Sequence, residues 1–369
     1  MVKRKIVIIG GGVVGSVAAY YLSKTTHDVT LIDDGIGQAT KASAGIICPW
    51  FSQRRNQDWY HLVDTGATFY RQLVEDLTAD GVKTLPFHET GSLVFKRSRL
   101  LAEKLLLTAK LKREANPTIG SLNLLSPESV KQIYSNLQAE HYALYASGGG
   151  HVDGQLLIST LQNIAEQNGT TIIREKARIA SVDRHSVAFG EQVKTFDHII
   201  LAVGAWLPEL LAPFGLKTDI RPQKGQLITC QTNRQTSNWP VCMLIGETDI
   251  LPYGETSLII GATHENDQLF DLTPSSRQQN ILLEEAKTVL TDIDLTISGH
   301  RVGTRAYTSD FLPLIGPIPG YDHIIAVSGL GSSGLTSGPL IGYEVAQAIA
   351  NDQPLVDYLT PFSAKRYIK

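Results

Sequence analysis

Residues 5–15 read KIVIIGGGVVG, and the chain runs straight on as SVAAYYLSKTTHDVTLIDD. Residues 5–9 are apolar almost without interruption, which suits a strand buried on both faces. Small residues at helical spacing from Gly15 to Leu22 predict a helix, and VTLID at 29–33 predicts a second strand parallel to the first. In that setting Gly10-x-Gly12-x-x-Gly15 reads as a turn that holds a pyrophosphate. The first glycine allows the tight turn, the second lets the backbone approach the phosphates, and the third lets helix and strand pack closely. The helix N-terminus adds free N–H groups and a partial positive charge. Asp33, closing the second strand about 20 residues on, is placed to accept a hydrogen bond from a ribose hydroxyl. NAD and FAD both use this unit, so the motif alone does not choose between them.

The downstream residues favour FAD. An NAD dehydrogenase would continue with further βα units, whereas this chain continues with QATKASAGIICPW at 38–50. Those small and hydroxylated side chains can run alongside a cofactor that extends beyond the pyrophosphate, and Thr40, Ser43 and Gly45 can approach a flavin ring closely. Near the other end, IIAVSGLGSSGLTSGPLIGYEVAQAIA carries Gly329-x-Gly331-x-x-Gly334. No second strand with a ribose-binding acid follows it, so it reads poorly as another dinucleotide site. Gly338-Pro339 suits a fresh helix start and predicts a last helix over 338–350. A helix N-terminus aimed at the N1–C2=O edge of a flavin would stabilise the negative charge that develops there on reduction.

The 369 residues are 43% hydrophobic and 19% charged, ordinary for a globular protein of two domains. A net charge of −3 gives no electrostatic case for nucleic acid. MVKRK followed by an apolar run mimics a secretion signal, but Gly10, Gly11, Gly12 and Gly15 break that run. The expectation is a cytoplasmic protein without a membrane span. Cys48, Cys230 and Cys242 are too scattered for a disulfide framework and have no ligand-spaced partner, so they read as partly buried free thiols and no metal is expected. Helices are predicted over 58–80, 98–116 and 274–291, and strands at SLVFK (92–96), FDHIILAVGAW (196–206), GQLITCQ, CMLIG and SLIIGAT. The α/β signals come in three pieces with strand-rich pieces between them. That pattern predicts a nucleotide-binding domain interrupted twice by an antiparallel one.

Taken together, IIGGGVVGSVAAYYLSKTTHDVTLID, ASAGIICP, GGHVDGQLL, HIILAVGAW, RPQKGQLI, ILPYGETSLIIGAT, VGTRAYTSDFLPLIG and SGLGSSGLTSGP resemble the D-amino acid oxidase and glycine oxidase (DAO) family of FAD-dependent oxidoreductases. The resemblance covers nearly the whole chain. It implies an α/β fold in which a Rossmann-like FAD-binding domain (1–85, 148–220 and 301–369) is interrupted by an α+β substrate domain with a mainly antiparallel sheet (86–147 and 221–300). It also implies noncovalent FAD and oxidation of a small amine or amino acid of the D-amino acid, glycine or sarcosine type. Hydride would pass from the α-carbon to flavin N5, leaving an imine that hydrolyses. The reduced flavin would then be emptied by O2 or another electron acceptor.

By the same resemblance, cofactor contacts fall on Gly10, Gly12, Val14 and Gly15, then Asp33 and Asp34, then Thr40, Lys41, Ser43, Ala44, Gly45 and Ile46. Further contacts fall on Ile179, on Ala202, Gly204 and Trp206, and on Gly329, Gly331, Ser332, Ser333, Gly334, Leu335 and Thr336. The family's carboxylate-binding arginine matches Arg305, which also faces the cofactor and is the expected catalytic residue; a guanidinium can fork onto a carboxylate with two parallel hydrogen bonds. Arg301 is its competitor, and Asp310 is an available ion-pair partner for either. Relatives with covalent flavin carry cysteine in the Arg305 slot, which excludes that link here. Where glycine-oxidase-like members carry tyrosine, this chain has Asp249, with Tyr253 just beyond Pro252. Ser332 and Thr336 replace basic residues of other members. Substrate contacts are therefore expected from Arg305, Asp249, Tyr253 and Ser332. His264 and His300 are the alternative bases, although hydride transfer itself requires positioning rather than a base. Two further readings stay open, a flavin monooxygenase reduced by NAD(P)H and a flavoprotein subunit without turnover.

Overall fold

A computed structural model describes residues 2–134, 136–137 and 140–369. The opening stretch forms a strand, Lys5–Ile9, whose Ile6, Val7 and Ile8 are wholly buried. At about 1.5–3 kcal/mol for each large apolar side chain, that burial anchors the strand at the centre of a sheet. It pairs in parallel with Asp28–Ile32 on one side and His198–Leu201 on the other. Thr171–Ile173 extends the first side and Tyr321–Ser328 the second, both parallel. Leu314–Ile318 closes the edge as the antiparallel arm of a hairpin.

The first helix, Val13–Ser23, lies on this sheet between Gly154–Gln167 and the last helix, Gly334–Asn351. The last helix starts at Gly334, not at 338 as the Gly-Pro pair suggests, and Pro339 sits inside it. Proline at 339 leaves the Leu335 carbonyl without its helical donor, and the buried Tyr70 hydroxyl donates to that carbonyl instead at 2.7 Å. The long helix Gln57–Ala79 crosses the other side of Gly334–Asn351 at Gly66, where a Cβ would run into the Thr336 carbonyl and Ser337 Cα.

The second sheet has eight strands, in the order Leu295–Tyr307, Arg221–Thr232, Ser257–Gly261, Asp249–Tyr253, Val241–Met243, Ser92–Lys96, Tyr142–Ala146 and Leu122–Leu125. All pairings are antiparallel except that of Val241–Met243 with Ser92–Lys96. The strand Leu295–Tyr307 runs unbroken through residue 301, so no loop separates the two sheets there. The helices Arg99–Ala115 and Ser276–Lys287 match the amphipathic stretches of the sequence, each started by a serine whose hydroxyl accepts an N–H three residues on. Cys48, Cys230 and Cys242 are free and fully rather than partly buried, and burial pushes the Cys48 and Cys242 thiols up to about 12. Among the described residues no helix is long and apolar enough to cross a membrane, and no cluster of His, Cys, Asp and Glu has the form of a metal site.

The contact at Gly66 gives a test of the helix packing. Gly66→Val should destabilise the protein by roughly 1–3 kcal/mol through overpacking, read as a lower denaturation midpoint at unchanged slope.

Candidate functional site

Gly10 leaves the first strand with φ +102°, a conformation that L side chains rarely adopt, and its N–H donates to the Ile32 carbonyl at 2.9 Å. The turn that follows is tied from three directions. Asp33 Oδ2 accepts from Gly11 N at 2.6 Å, and Thr40 Oγ1 accepts from Val13 N at 3.1 Å. Buried Gln162 donates through Nε2 to the Gly11 carbonyl at 3.2 Å and Ser16 Oγ at 2.9 Å. Gln162 is itself held by Arg174, which donates to Oε1 at 2.8 Å. Gly15 lies beneath the turn, where a Cβ would overlap the Gly10 carbonyl.

A cleft of about 350 Å³ opens over this turn. Gly10, Gly12, Val14, Asp33, Asp34 and Thr40 line one side of it; Ala202, Gly204, Trp206, Gly329, Gly331 and Gly334 line the other. Both helix N-termini that reach it, at Val13 and Gly334, have no side-chain cap from their own N-cap residue. Ala39, Thr40, Gly331 and Gly334 also border a second cavity of about 180 Å³, so the two spaces are continuous. Ser43, Ala44, Gly45, Ile46, Ser332 and Leu335 line this smaller cavity from the side of the parallel sheet. Gly225, Glu247, Asp249, His264, Gly303 and Arg305 line it from the antiparallel sheet.

Alternation along one strand serves both spaces. Thr304 and Ala306 face the larger cleft, while Gly303 and Arg305 face the smaller cavity. Arg305 lies directly across from Gln223, and Nη1 donates to Gln223 Oε1 at 3.0 Å and to the Thr263 carbonyl at 2.8 Å. The guanidinium rests on Gly225, where a Cβ would come within 2.7 Å of it. Among the described residues Nη2 and Nε have no protein acceptor, so a face of the fork is left for an anion. Burial lowers the arginine's proton affinity, but a guanidinium stays charged. His264 Nδ1 lies 3.3 Å from Glu247 Oε2, and burial followed by the nearby Arg305 charge lowers its pKa. Asp249 has no cationic partner among the described residues, and burial pushes its carboxyl up to about 7.

Some expected residues lie elsewhere. Ile179 is in the core of a small three-stranded sheet, and its neighbour Ala177 reaches the cleft instead. Lys41 lines neither space. Ser333 and Thr336 turn their hydroxyls to the carbonyls of Leu330 and Ile46, and neither residue lines a cavity. Tyr253 is covered by Arg301, whose guanidinium lies 4.9 Å from the ring centroid, so both are spent on each other. Asp310 pairs with neither Arg301 nor Arg305. It accepts from the Tyr367 hydroxyl at 2.9 Å and lies 3.7 Å from Arg366. His300 is exposed on the far part of its strand.

The structure also adds residues that the sequence did not point to. Gln38 Oε1 and Thr304 Oγ1 are buried without a partner, and both residues line the larger cleft. An orphaned buried acceptor is costly unless a ligand satisfies it. Two helix N-termini without a cap from their own N-cap residue, two orphaned polar atoms and a glycine cradle fit a polar, anionic cofactor with a long reach. Gln38 and Thr304 lie within the stretches QATKASAGIICPW and VGTRAYT, but nothing local shows that they pair side by side in a parallel β-bridge at the cleft.

A family model described as FAD dependent oxidoreductase (DAO) matches residues 5–348. The chain is 35% identical to YurR, an uncharacterized oxidoreductase of Bacillus subtilis, over 97% of this chain and 98% of that one. It is 25% identical to a glycine oxidase of Pseudomonas putida over 96% of this chain and 97% of that one. Among solved structures, iminodiacetate oxidase from Chelativorans matches with a TM-score of 0.91 at 30% identity, covering 97% of this chain and 98% of that chain. A glycine oxidase from Geobacillus kaustophilus shares the fold, with a TM-score of 0.87 at 23% identity over the whole of both chains. The chain belongs to the DAO family of FAD-dependent oxidoreductases, and FAD is the cofactor that this cleft fits.

Asp33 offers a test of the cradle. Its Oδ1 also accepts from Gly35 N at 2.7 Å and Gln38 Nε2 at 2.6 Å, so the carboxylate organises the loop on both sides. Asp33→Ala should weaken FAD binding by about 2 kcal/mol, roughly 30-fold. The check is titration of the flavin-free protein with FAD.

Proposed function

We propose that the chain oxidises the amine of a small amino acid to an imine, which water then hydrolyses. The observation that carries this reading is a charged, anion-ready arginine in a small cavity continuous with the cofactor cleft. Arg305 would receive the substrate carboxylate through Nη2 and Nε, while Gln223 and the Thr263 carbonyl fix the guanidinium through Nη1. The cavity volume of about 180 Å³ suits glycine, sarcosine or a short D-amino acid better than a bulky side chain.

FAD, when bound, supplies the acceptor for a hydride, which carries both electrons of the oxidation. The protein's contribution is placement. Gly331 borders both spaces, and Gly45 and Gly303 line the small cavity; none carries a side chain that would hold substrate and cofactor apart. Asp249 and Glu247 set a negative field on the same cavity, complementary to the amine end of a zwitterion. The names of the relatives support the reading, since glycine and iminodiacetate both carry an amine one carbon from a carboxylate.

Anaerobic addition of glycine, sarcosine or D-alanine should bleach the flavin of the purified yellow protein, and re-oxidation should follow on admission of an acceptor. Failure across a broad panel of amino acids, with FAD bound, would count against the proposal. Arg305→Met should raise KM by roughly 100-fold, about 3 kcal/mol of lost charge-assisted hydrogen bonding, while FAD stays bound.

A further inference from the structure

An amino acid in neutral water is a zwitterion, and its ammonium nitrogen has no lone pair. Loss of hydride from the α-carbon requires that lone pair, because it becomes the second bond of the C=N product. One proton must therefore leave the nitrogen before the α C–H bond breaks, and a group in the cavity has to take it.

We propose that Asp249 is a catalytic residue: it accepts the ammonium proton of the substrate whose carboxylate is held by Arg305. The assignment rests on the amino-acid reading above and extends it.

Geometry puts Asp249 in position. It opens the strand Asp249–Tyr253, directly opposite Gly261 on one side and Met243 on the other. Gly261 in turn lies opposite Leu227, on the strand that carries Gly225 and Gln223. Residues directly opposite in a sheet share a face. Asp249 and the Gly225–Gly303 pair beneath the guanidinium therefore line the same side, and both border the small cavity.

Competing groups are less suited. Glu247 is largely exposed, and His264 lies between it and the Arg305 guanidinium. A proton placed on His264 would add a second positive charge beside Arg305. The other titratable neighbours of Asp249 are Cys48, from the parallel-sheet side, and Cys242, on the adjoining strand. Both stay neutral thiols because burial pushes them up to about 12. The stretch that faces Asp249 from the cofactor side, residues 42–46, has no titratable side chain. Asp249 is thus a carboxylate without a cation to neutralise it; burial makes it a stronger base than an ordinary aspartate, and a backbone hydrogen bond at Leu244 offsets part of that rise.

An N–H bond of the ammonium breaks, the proton bonds to a carboxylate oxygen of Asp249, and the electron pair stays on nitrogen. The α C–H bond then breaks with its pair, the hydride leaves for the FAD, and the nitrogen pair forms the C=N bond of the iminium product. Asp249 releases the proton to water when the product leaves.

Asp249 has to be ionised to act, so the rate of flavin reduction by glycine or sarcosine should rise with pH through about 7 in the wild-type holoenzyme. Asp249→Asn keeps the shape and removes the basicity. In this variant the anaerobic reduction rate near neutral pH should fall about 100-fold, and the rise near neutrality should give way to one at the ionisation of the substrate amine itself. Asp249→Glu should restore part of the rate. A readout independent of turnover is the binding of acetate, which has no amine, followed by perturbation of the flavin spectrum. In wild type, acetate should bind more tightly as pH falls and Asp249 becomes neutral; in Asp249→Asn that dependence should vanish. An Asn variant that turns over with the wild-type pH profile, or acetate binding whose pH dependence survives the substitution, would overturn the assignment alone. If no amino acid reduces the wild-type flavin at any pH, the amino-acid reading falls and the assignment falls with it.

Discussion

The site exists because two helices far apart in sequence touch backbone to backbone. Val13–Ser23 and Gly334–Asn351 meet where Gly338 and Gly342 face Val13, Val14 and Val17, and a Cβ at either glycine would collide with those residues. This close approach brings two glycine turns, one after the first strand and one after Tyr321–Ser328, onto the same cleft. Two helix N-termini then face one cleft, each contributing a partial positive charge. Were the helices held apart by side chains, each turn would be an ordinary strand-to-helix connection.

From that contact the rest of the architecture follows as a division of labour between two sheets. The parallel sheet fixes the phosphate end, with Asp33, Thr40 and Gln162 holding the loop around Gly11 from three sides. The antiparallel sheet supplies the reactive end. Its edge strand Leu295–Tyr307 lies across the junction, and its alternating side chains send Thr304 to the cofactor cleft and Arg305 to the small cavity. Buried Lys224 ties this sheet to the segment that follows His264, donating to Asp271 at 2.7 Å and to the Thr273 carbonyl at 2.6 Å. An ammonium removed from water in this way is tolerated only with such partners. The same segment brings Phe270 against Trp206, with ring centroids 5.1 Å apart, beside the larger cleft.

Charge is distributed in the small cavity so that no single sign dominates. Arg305 is the fixed positive pole, and Asp249 and Glu247 are the negative ones, with His264 between. A cavity built to take a dicarboxylate by electrostatics alone would not include an aspartate without a cationic partner in the same lining as its arginine. A dipolar ligand matches both poles. This pattern also explains why tyrosine, found at the Asp249 position in the glycine-oxidase-like pattern, is not a neutral exchange: a phenol donates a hydrogen bond, whereas a carboxylate takes a proton.

By itself the sequence determined the parts that depend on local chemistry. A buried strand, a glycine turn and a small-residue helix follow from hydrophobic pattern and steric allowance within residues 5–33, and the same logic exposed the turn at 329–334. Arg305 was singled out through the resemblance of VGTRAYT to the family pattern, with Arg301 four residues earlier as its competitor. Tertiary structure alone decided which of these residues meet. Tyr253 and Arg301, plausible as substrate contacts, neutralise one another across strands, whereas Gln38 and Thr304, unremarked in sequence, converge with unsatisfied oxygens on the cofactor cleft. Gln162, 151 positions from Gly11 in the chain, braces the first turn. Such pairings depend on strand register and on the crossing of helices. Those are set by packing summed over the whole core, so no local window of residues contains them.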